Sequence, residues 1–482
     1  MPVSNTPNQH LQKLIHKGPF EQRTICREDL GLYHAVIIGA IYEFTPGFAV
    51  NSPSSFFHPL RCCIEDHPSL GVVVHDTHTD KAFYQKVPSI DLENHISIFE
   101  GLDNENNKLL AIEKVLGSDL DRSFIRDIPP WRVIVLPLGP SRCFIAFSYS
   151  HMIGDGPTGT AFHHTFFNAC DDVPTVPSSS KVVKTSIKPL PAPFDTSQRL
   201  PISWSFLLAP LIDSFLPRFV SEFLGLQLAI YPLDTGTWTG SLVPRNPKTP
   251  QSKIKLREIK APLLEKALRA SRAHKAKLTG TFQQLIIRAL SKAFPDPATT
   301  NFVAQTAISM RQAIGVPSNV MGNFVSGCYI NYPRVDPFRP IADEDWKSAS
   351  SATQRLAESA ATLQDQPIGL LRYVPRMRKW TLEKLGQKRE CSFEVSNVGA
   401  FDNHRDLPSG KVPKTRITGI FFAQPGHTLS TPLAFNLASL KGGSFVYTVT
   451  WQPGALGVPE DVEDALVEEI CSSIDAEFGM LE

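Results

Sequence analysis

Apolar and polar positions along the chain fall into stretches of two kinds, one alternating every second residue and one recurring every three to four. The densest apolar run is Cys143-Phe144-Ile145-Ala146-Phe147-Ser148-Tyr149-Ser150, which predicts a buried strand. Trp131 to Leu136 precedes it as a second strand, and Pro137-Leu138-Gly139-Pro140-Ser141 predicts a hairpin with a five-residue loop. After the strand, Gly154, Gly156, Pro157 and Gly159 predict a loop, and Thr160 to Ala169 a helix. Residues Asp172 to Pro201 are rich in Pro, Ser and Lys and predict a linker with little structure of its own. Trp204 to Leu228 is strongly apolar, but Asp213, Arg218 and Glu222 interrupt it and argue against a membrane span. Two short amphipathic helices packed across both halves are expected there, with peripheral contact to a membrane surface as the alternative.

The second half restarts with alternation over Ser252 to Ile259, where Ile254 and Leu256 interleave with Lys253, Lys255 and Arg257. A helix is expected from Pro262 to about Lys277, with the proline in its first turn. Thr279 is expected to cap a helix over Gly280 to Phe294, whose apolar face holds Phe282, Leu285, Ile286, Ala289 and Leu290. Pro295 and Pro297 end it. Further strands are expected at Phe302 to Ser309, Phe324 to Tyr332, Ser392 to Ser396, Ile417 to Phe422, Leu433 to Leu440 and Phe445 to Trp451. Lys441-Gly442-Gly443-Ser444 joins the last two as a hairpin turn. Both halves mix helices and strands, so the class is α/β with mixed sheets.

Length and composition narrow the picture. At 482 residues the chain exceeds one ordinary core and implies two domains. Hydrophobic residues at 42% and charged residues at 20% fit a globular protein in water. The net charge of +1 gives no electrostatic case for nucleic acid or an anionic membrane. The 30 phenylalanines point to a Phe-rich core, with an apolar cavity as the alternative. The eight cysteines form no CxxC pair and no metal spacing with histidine, so no metal site is expected and a reduced, cytoplasmic protein is. The polar start, Met1-Pro2-Val3-Ser4-Asn5-Thr6, lacks a signal-peptide core, and the end, Gly479-Met480-Leu481-Glu482, carries no lipidation or peroxisomal signal.

The most informative chemistry is His151-Met152-Ile153-Gly154-Asp155-Gly156, an H-x-x-x-D-G placed where the strand meets the loop. A rigid element holds the imidazole there while leaving it free to face a cleft, and its ordinary pKa suits proton transfer near neutrality. Asp155 is expected to orient the loop through a salt bridge rather than to touch substrate. Gly156 lets the backbone pass close to a neighbour because it has no Cβ. His163 and His164 are expected as core-satisfied or solvent-facing residues. No G-x-S-x-G or H-E-x-x-H appears, which disfavours a serine or zinc hydrolase.

In order, Ser148-Tyr149-Ser150-His151-Met152-Ile153-Gly154-Asp155-Gly156, Ile308-Ser309-Met310-Arg311, Met321-Gly322-Asn323-Phe324, Val395-Ser396-Asn397-Val398-Gly399 and the Phe435 to Trp451 hairpin resemble a CoA-dependent acyltransferase of the chloramphenicol acetyltransferase-like superfamily. Within it the chain most resembles the fungal alcohol acetyltransferase family, with plant BAHD enzymes and peptide-synthetase condensation domains more distant. The resemblance implies two similar domains with an interdomain active-site tunnel: an N-terminal lobe over 1–178, a crossover over 179–239 and a C-terminal lobe over 240–482. It implies His151 as general base, Asp155 as structural carboxylate, Gly156 as close-approach glycine and Arg311 as the partner of Asp155 across the interface. Ser396 and Asn397 match the polar wall near the acyl carbonyl and are candidate oxyanion donors, with capping of a strand end as the other reading. The cosubstrate implied is acetyl-CoA or another acyl-CoA, with no permanently bound cofactor. Lys253, Lys255, Arg272 and Lys275 are the leading candidates for its phosphates, with Lys266, Arg269, Lys277 and the Arg376, Arg378 and Lys379 group beside them. The partners expected are that donor and a small alcohol or secondary metabolite, taken up by a monomer. The plant-type D-F-G-W-G is absent, with Gln424-Pro425-Gly426-His427 in that region, and Ser150 replaces the first histidine of a condensation-domain pair. Transfer to an amine or thiol, condensation-type amide formation and a non-catalytic binding role are the alternatives.

Overall fold

A computed structural model describes residues 13–14, 17–101, 107–171, 180–213, 232–404 and 413–481. Two large mixed sheets dominate it. The first orders its strands Thr415–Ala423, Ala35–Phe44, Arg142–Ser150, Trp131–Gly139 and Ile96–Ile98; the last pair is parallel and the others antiparallel. The second orders Lys253–Ile259, Phe445–Trp451, Leu433–Leu440, Phe393–Phe401, Asn301–Ser309 and Val325–Pro333, with the two inner pairs Leu433–Leu440/Phe393–Phe401 and Phe393–Phe401/Asn301–Ser309 parallel. Two mixed sheets with their own helices bear out the α/β class. One strand crosses over in the other sense: Thr415–Ala423 belongs by sequence to the second half but hydrogen-bonds to Ala35–Phe44 in the first sheet.

Alternation explains how each sheet is clothed. In the first, Ile38, Ala40, Tyr42, Ile145 and Phe147 face the helices Phe57–Asp66 and Gly156–Ala169, where Phe147 stacks on Phe162 at 3.9 Å. Their neighbours Ile37, Ile41, Phe144 and Ala146 face the helix Lys108–Leu120. In the second, Phe302, Ala304, Phe393 and Val395 pack under the helices Ala261–Ala273, Leu278–Ala293 and Glu460–Met480. The intervening residues of those strands are left to face the other lobe. The helix Lys108–Leu120 ties the lobes together: Glu113 accepts the Leu256 backbone N–H at 2.7 Å, satisfying a donor on the edge strand of the second sheet.

Several expected boundaries move. The 131–150 hairpin forms, but Pro137, Leu138 and Gly139 continue the strand, so the turn is only Pro140 and Ser141. A register shift between Pro137 and Gly139 absorbs the proline, which has no N–H to give the ladder. The helix expected from Thr160 begins at Gly156 instead, because Pro157 lies in the first turn, where a missing N–H costs nothing. Gly159 lies inside it, where a Cβ would come within 2.2 Å of Ile38. Thr279 is not a cap: the helix starts at Leu278, and the Thr279 hydroxyl instead accepts a hydrogen bond from Asn397 Nδ2 at 3.0 Å. The helix expected to reach Lys277 ends at Ala273, with Lys275 in the left-handed region at φ 57°.

The expected linker contains Val182–Lys184, paired with Ser89–Asp91, and otherwise no helix or strand among its described residues. Trp204–Asp213 is helical, and the remainder of the apolar stretch to Leu228 lies outside the described residues. No helix among the described residues is long and apolar enough to cross a membrane. None of the eight cysteines forms a disulfide.

Candidate active site

His151 follows directly on the strand Arg142–Ser150, at the edge of a cavity of about 350 Å³ between the lobes. Its Nδ1 lies 3.1 Å from Asn323 Oδ1. Asn323 Nδ2 in turn donates to the carbonyls of His151 at 3.1 Å and Met152 at 3.4 Å, which fixes the amide so that its oxygen faces the imidazole. An amide oxygen can only accept, so the neutral ring places its proton on Nδ1 and leaves the Nε2 lone pair free. Burial lowers the imidazole pKa below its ordinary value, with Asp155 opposing that shift and Arg27 adding to it. Phe20 and Tyr33 hold the ring by edge and tilted contacts at 5.5 and 5.8 Å. Ser150, beside it, donates its hydroxyl to the half-buried Glu28, whose pKa desolvation pushes up to about 8.

Asp155 turns its carboxylate away from the cavity centre. Arg311 grips it with both terminal nitrogens at 2.7 and 2.8 Å, and the Phe324 N–H donates at 2.9 Å. Both side chains are buried, at 1% and 5% exposure, so this is a desolvated two-pronged ion pair joining the loop after the first sheet to the loop after Asn301–Ser309. Gly322, at φ 148°, turns its carbonyl to accept from the Asp155 N–H and from Arg311. Gly156 is a close approach as expected: a Cβ there would sit 2.9 Å from Val398 Cγ1, on the opposite cavity wall.

Strand alternation builds that wall. Gln305, Ala307 and Ser309, Val325, Gly327 and Tyr329, and Glu394, Ser396 and Val398 all line the cavity at two-residue spacing. Register sets Gln305 between Glu394 and Tyr329. Ser396 is buried and donates to Glu394 Oε1 at 2.9 Å, which Gln424 Nε2 also reaches at 2.9 Å. Those two hydrogen bonds and His427, whose Nε2 lies 3.6 Å from Glu394 Oε2, accompany a Glu394 pKa below the usual range despite burial. Burial pushes the His427 imidazole down to about 4, so it is neutral near pH 7. Asn397 also lines the cavity, with Nδ2 on Thr279 and Oδ1 accepting from the Gly399 N–H at 2.8 Å.

His151, Asp155, Gly156, Ser396 and Asn397 thus line one cavity, and Arg311 braces it through Asp155. Lys253, Lys255, Arg272 and Lys275 do not line it. Lys253 and Lys255 pair with Asp464 and Glu468 of the C-terminal helix, and Arg272 and Lys275 lie at the end of a helix packed on the sheet's other face. Arg378 and Lys379 pair with Asp29 and Glu383. His163 is core-satisfied, bonded to Tyr42 and the Ile38 carbonyl. Sequence reasoning did not single out Arg23, Arg27, Glu394, Gln424 or His427 as cavity residues. Glu394 carries a signal, a charged residue two before Ser396 in an otherwise apolar strand; the two arginines carry only their four-residue spacing.

Two mixed sheets flanked by helices with a cavity between them have the fold of the condensation-like, chloramphenicol acetyltransferase-like acyltransferases. The model of the alcohol acetyltransferase family matches residues 16–472, and the chain belongs to that family. It is an acyltransferase, and the family implies a CoA thioester as donor. The chain is 23% identical over 474 residues to a probable alcohol acetyltransferase, FCK4, of Fusarium pseudograminearum, covering 92% of this chain and 93% of that one. It is 24% identical over 447 residues to the uncharacterized protein C18B11.03c of Schizosaccharomyces pombe, covering 90% and 91%. Among solved structures, trichothecene 15-O-acetyltransferase TRI3 of Fusarium sporotrichioides superposes with a TM-score of 0.69 at 13% identity, over 98% of this chain and 94% of that one.

Proposed function

We propose that the protein transfers an acetyl group from acetyl-CoA to the hydroxyl of a small molecule, with His151 as general base. The observation that carries this reading is the tautomer set by Asn323: its oxygen faces Nδ1, so Nε2 is the nitrogen free to take a proton. The acceptor hydroxyl binds within about 2.6–3.2 Å of Nε2. His151 removes its proton as the oxygen attacks the thioester carbonyl; the tetrahedral oxyanion collapses, expels the CoA thiolate, and the imidazolium protonates the sulfur. The thioester is already activated, so no acyl-enzyme forms. Ser396 and Asn397 are the oxyanion donors proposed; Ser396 must exchange its bond to Glu394 to serve, whereas Asn397 Nδ2 has a second N–H beside the one given to Thr279. Asp155 and Arg311 stay outside the proton path and hold the two walls in register.

Purified protein is to be incubated with acetyl-CoA and a panel of alcohols, with acetyl esters read by mass. His151→Ala is expected to lower turnover by about 10²–10⁴-fold with an unchanged melting temperature. Undiminished turnover in that variant defeats the general-base assignment. The same panel with matched amines separates ester from amide formation.

A further inference from the structure

The helix Pro19–Asp29 turns Phe20, Arg23, Thr24 and Arg27 to the cavity, one face at helical spacing. Arg27 is only 8% exposed, yet among the described residues its Nε and Nη2 have no hydrogen-bond partner and no carboxylate lies within ion-pair distance. Its guanidinium lies over the Tyr33 ring at 4.7 Å. Burial lowers its pKa to about 10, which leaves it cationic near neutrality. Glu394 faces the same cavity, with Oε1 taken by Ser396 and Gln424 and Oε2 3.6 Å from His427 Nε2; with Glu390 it attracts the guanidinium only from beyond ion-pair distance. A desolvated cation with open donors is costly unless something pairs with it.

We infer that Arg27, with Arg23 one turn before it, receives a carboxylate or similar anionic oxygen group carried by the acceptor whose hydroxyl lies at His151. The inference rests on the general-base reading of His151. The Tyr33 ring centre is 4.7 Å from the Arg27 guanidinium carbon and 5.8 Å from the His151 ring centre, so the cation is two short steps from the imidazole. The phosphates of CoA are held away from its sulfur by the whole pantetheine arm, whereas a hydroxy acid spans that gap. Leu207, Ile368, Leu371, Val374 and Trp380 line the cavity as well and suit an apolar or aromatic body between the two groups.

The test compares mandelate, tropate and hydroxyphenylacetate with their methyl esters. Binding to the full chain is read by calorimetry and acetyl transfer by mass, for wild type, Arg27→Gln and Arg27→Lys. At least one acid is expected to bind about tenfold more tightly than its ester, as a charge-assisted hydrogen bond provides. Arg27→Gln should abolish that preference while leaving ester binding unchanged, and Arg27→Lys should keep part of it. The inference is overturned if no acid outbinds its ester, or if Arg27→Gln weakens acid and ester equally. It is also overturned if Arg27→Gln raises the KM for acetyl-CoA and leaves the acid preference intact, which assigns the anion to the donor. A His151→Ala protein that keeps both the acid preference and turnover defeats the base reading alone.

Discussion

A single amide decides which nitrogen of His151 can act. Removing it with Asn323→Ala frees Nδ1 from one acceptor and lets the ring rotate; kcat/KM is expected to fall about ten- to hundredfold, with the KM for acetyl-CoA little changed. Steady-state kinetics of that variant decide the point, and an unchanged kcat/KM removes Asn323 from the account. Burial lowers the His151 pKa, so the unprotonated base persists to lower pH than in an ordinary histidine. The acid limb of the wild-type kcat/KM profile should therefore inflect below about pH 6.5. The histidine was legible in the sequence because its motif sits at the end of an unmistakable strand. Asn323 lay within a segment that resembled the family, but its bond to Nδ1 spans 172 positions and left no local trace. The unpaired state of Arg27 is likewise a property of packing, invisible in composition.

At the scale of elements, Asp155 and Arg311 join two loops that begin different sheets' returns, and the pair is almost wholly desolvated. Breaking it leaves one buried charge alone, so Asp155→Ala or Arg311→Ala should each cost about 3–5 kcal/mol of stability. The double substitution Asp155→Ala with Arg311→Met should cost less than the sum of the singles, because neither charge is then stranded. Urea unfolding of the three variants measures this, and strict additivity would refute the coupling. The strands of both sheets were readable because alternation marks a face that is buried. Helix starts were not: Gly156 and Pro157 look like loop residues, yet both are compatible with a first helical turn. The hairpin loop was overestimated for a similar reason, since a proline at a strand bulge is locally indistinguishable from a proline in a turn.

For the whole molecule, buried titratable groups set a pH range of greatest stability. Burial holds the imidazoles of His67, His95, His163 and His427 neutral, with pKa values near 4. As pH falls from about 6.5 to about 4, the unfolded chain takes up protons that the folded chain refuses, so stability drops. Glu28 has the opposite sign: burial pushes its pKa up to about 8, and Glu21, beside Asp195, is raised too. As pH climbs from about 4.5 to about 8, the folded chain keeps protons the unfolded chain has released, and stability again declines. Of these six groups, the four imidazoles outweigh the two carboxyls on the acid side, and only the carboxyls act between about pH 6.5 and about 8. The melting temperature should therefore peak near pH 6.5 in a fluorimetric series. A value still climbing between pH 7 and about 8 would contradict this.

The strand Thr415–Ala423 carries a consequence for how the chain comes into being. It closes the open side of Ala35–Phe44, one of the earliest strands to leave the ribosome, yet it is itself among the last to be made. Until that strand arrives, Ala35–Phe44 is an apolar strand with an unpaired backbone edge, the kind of edge that favours self-association. A fragment cut between the halves would inherit that vulnerability permanently, so neither half of this enzyme is a finished object without the other.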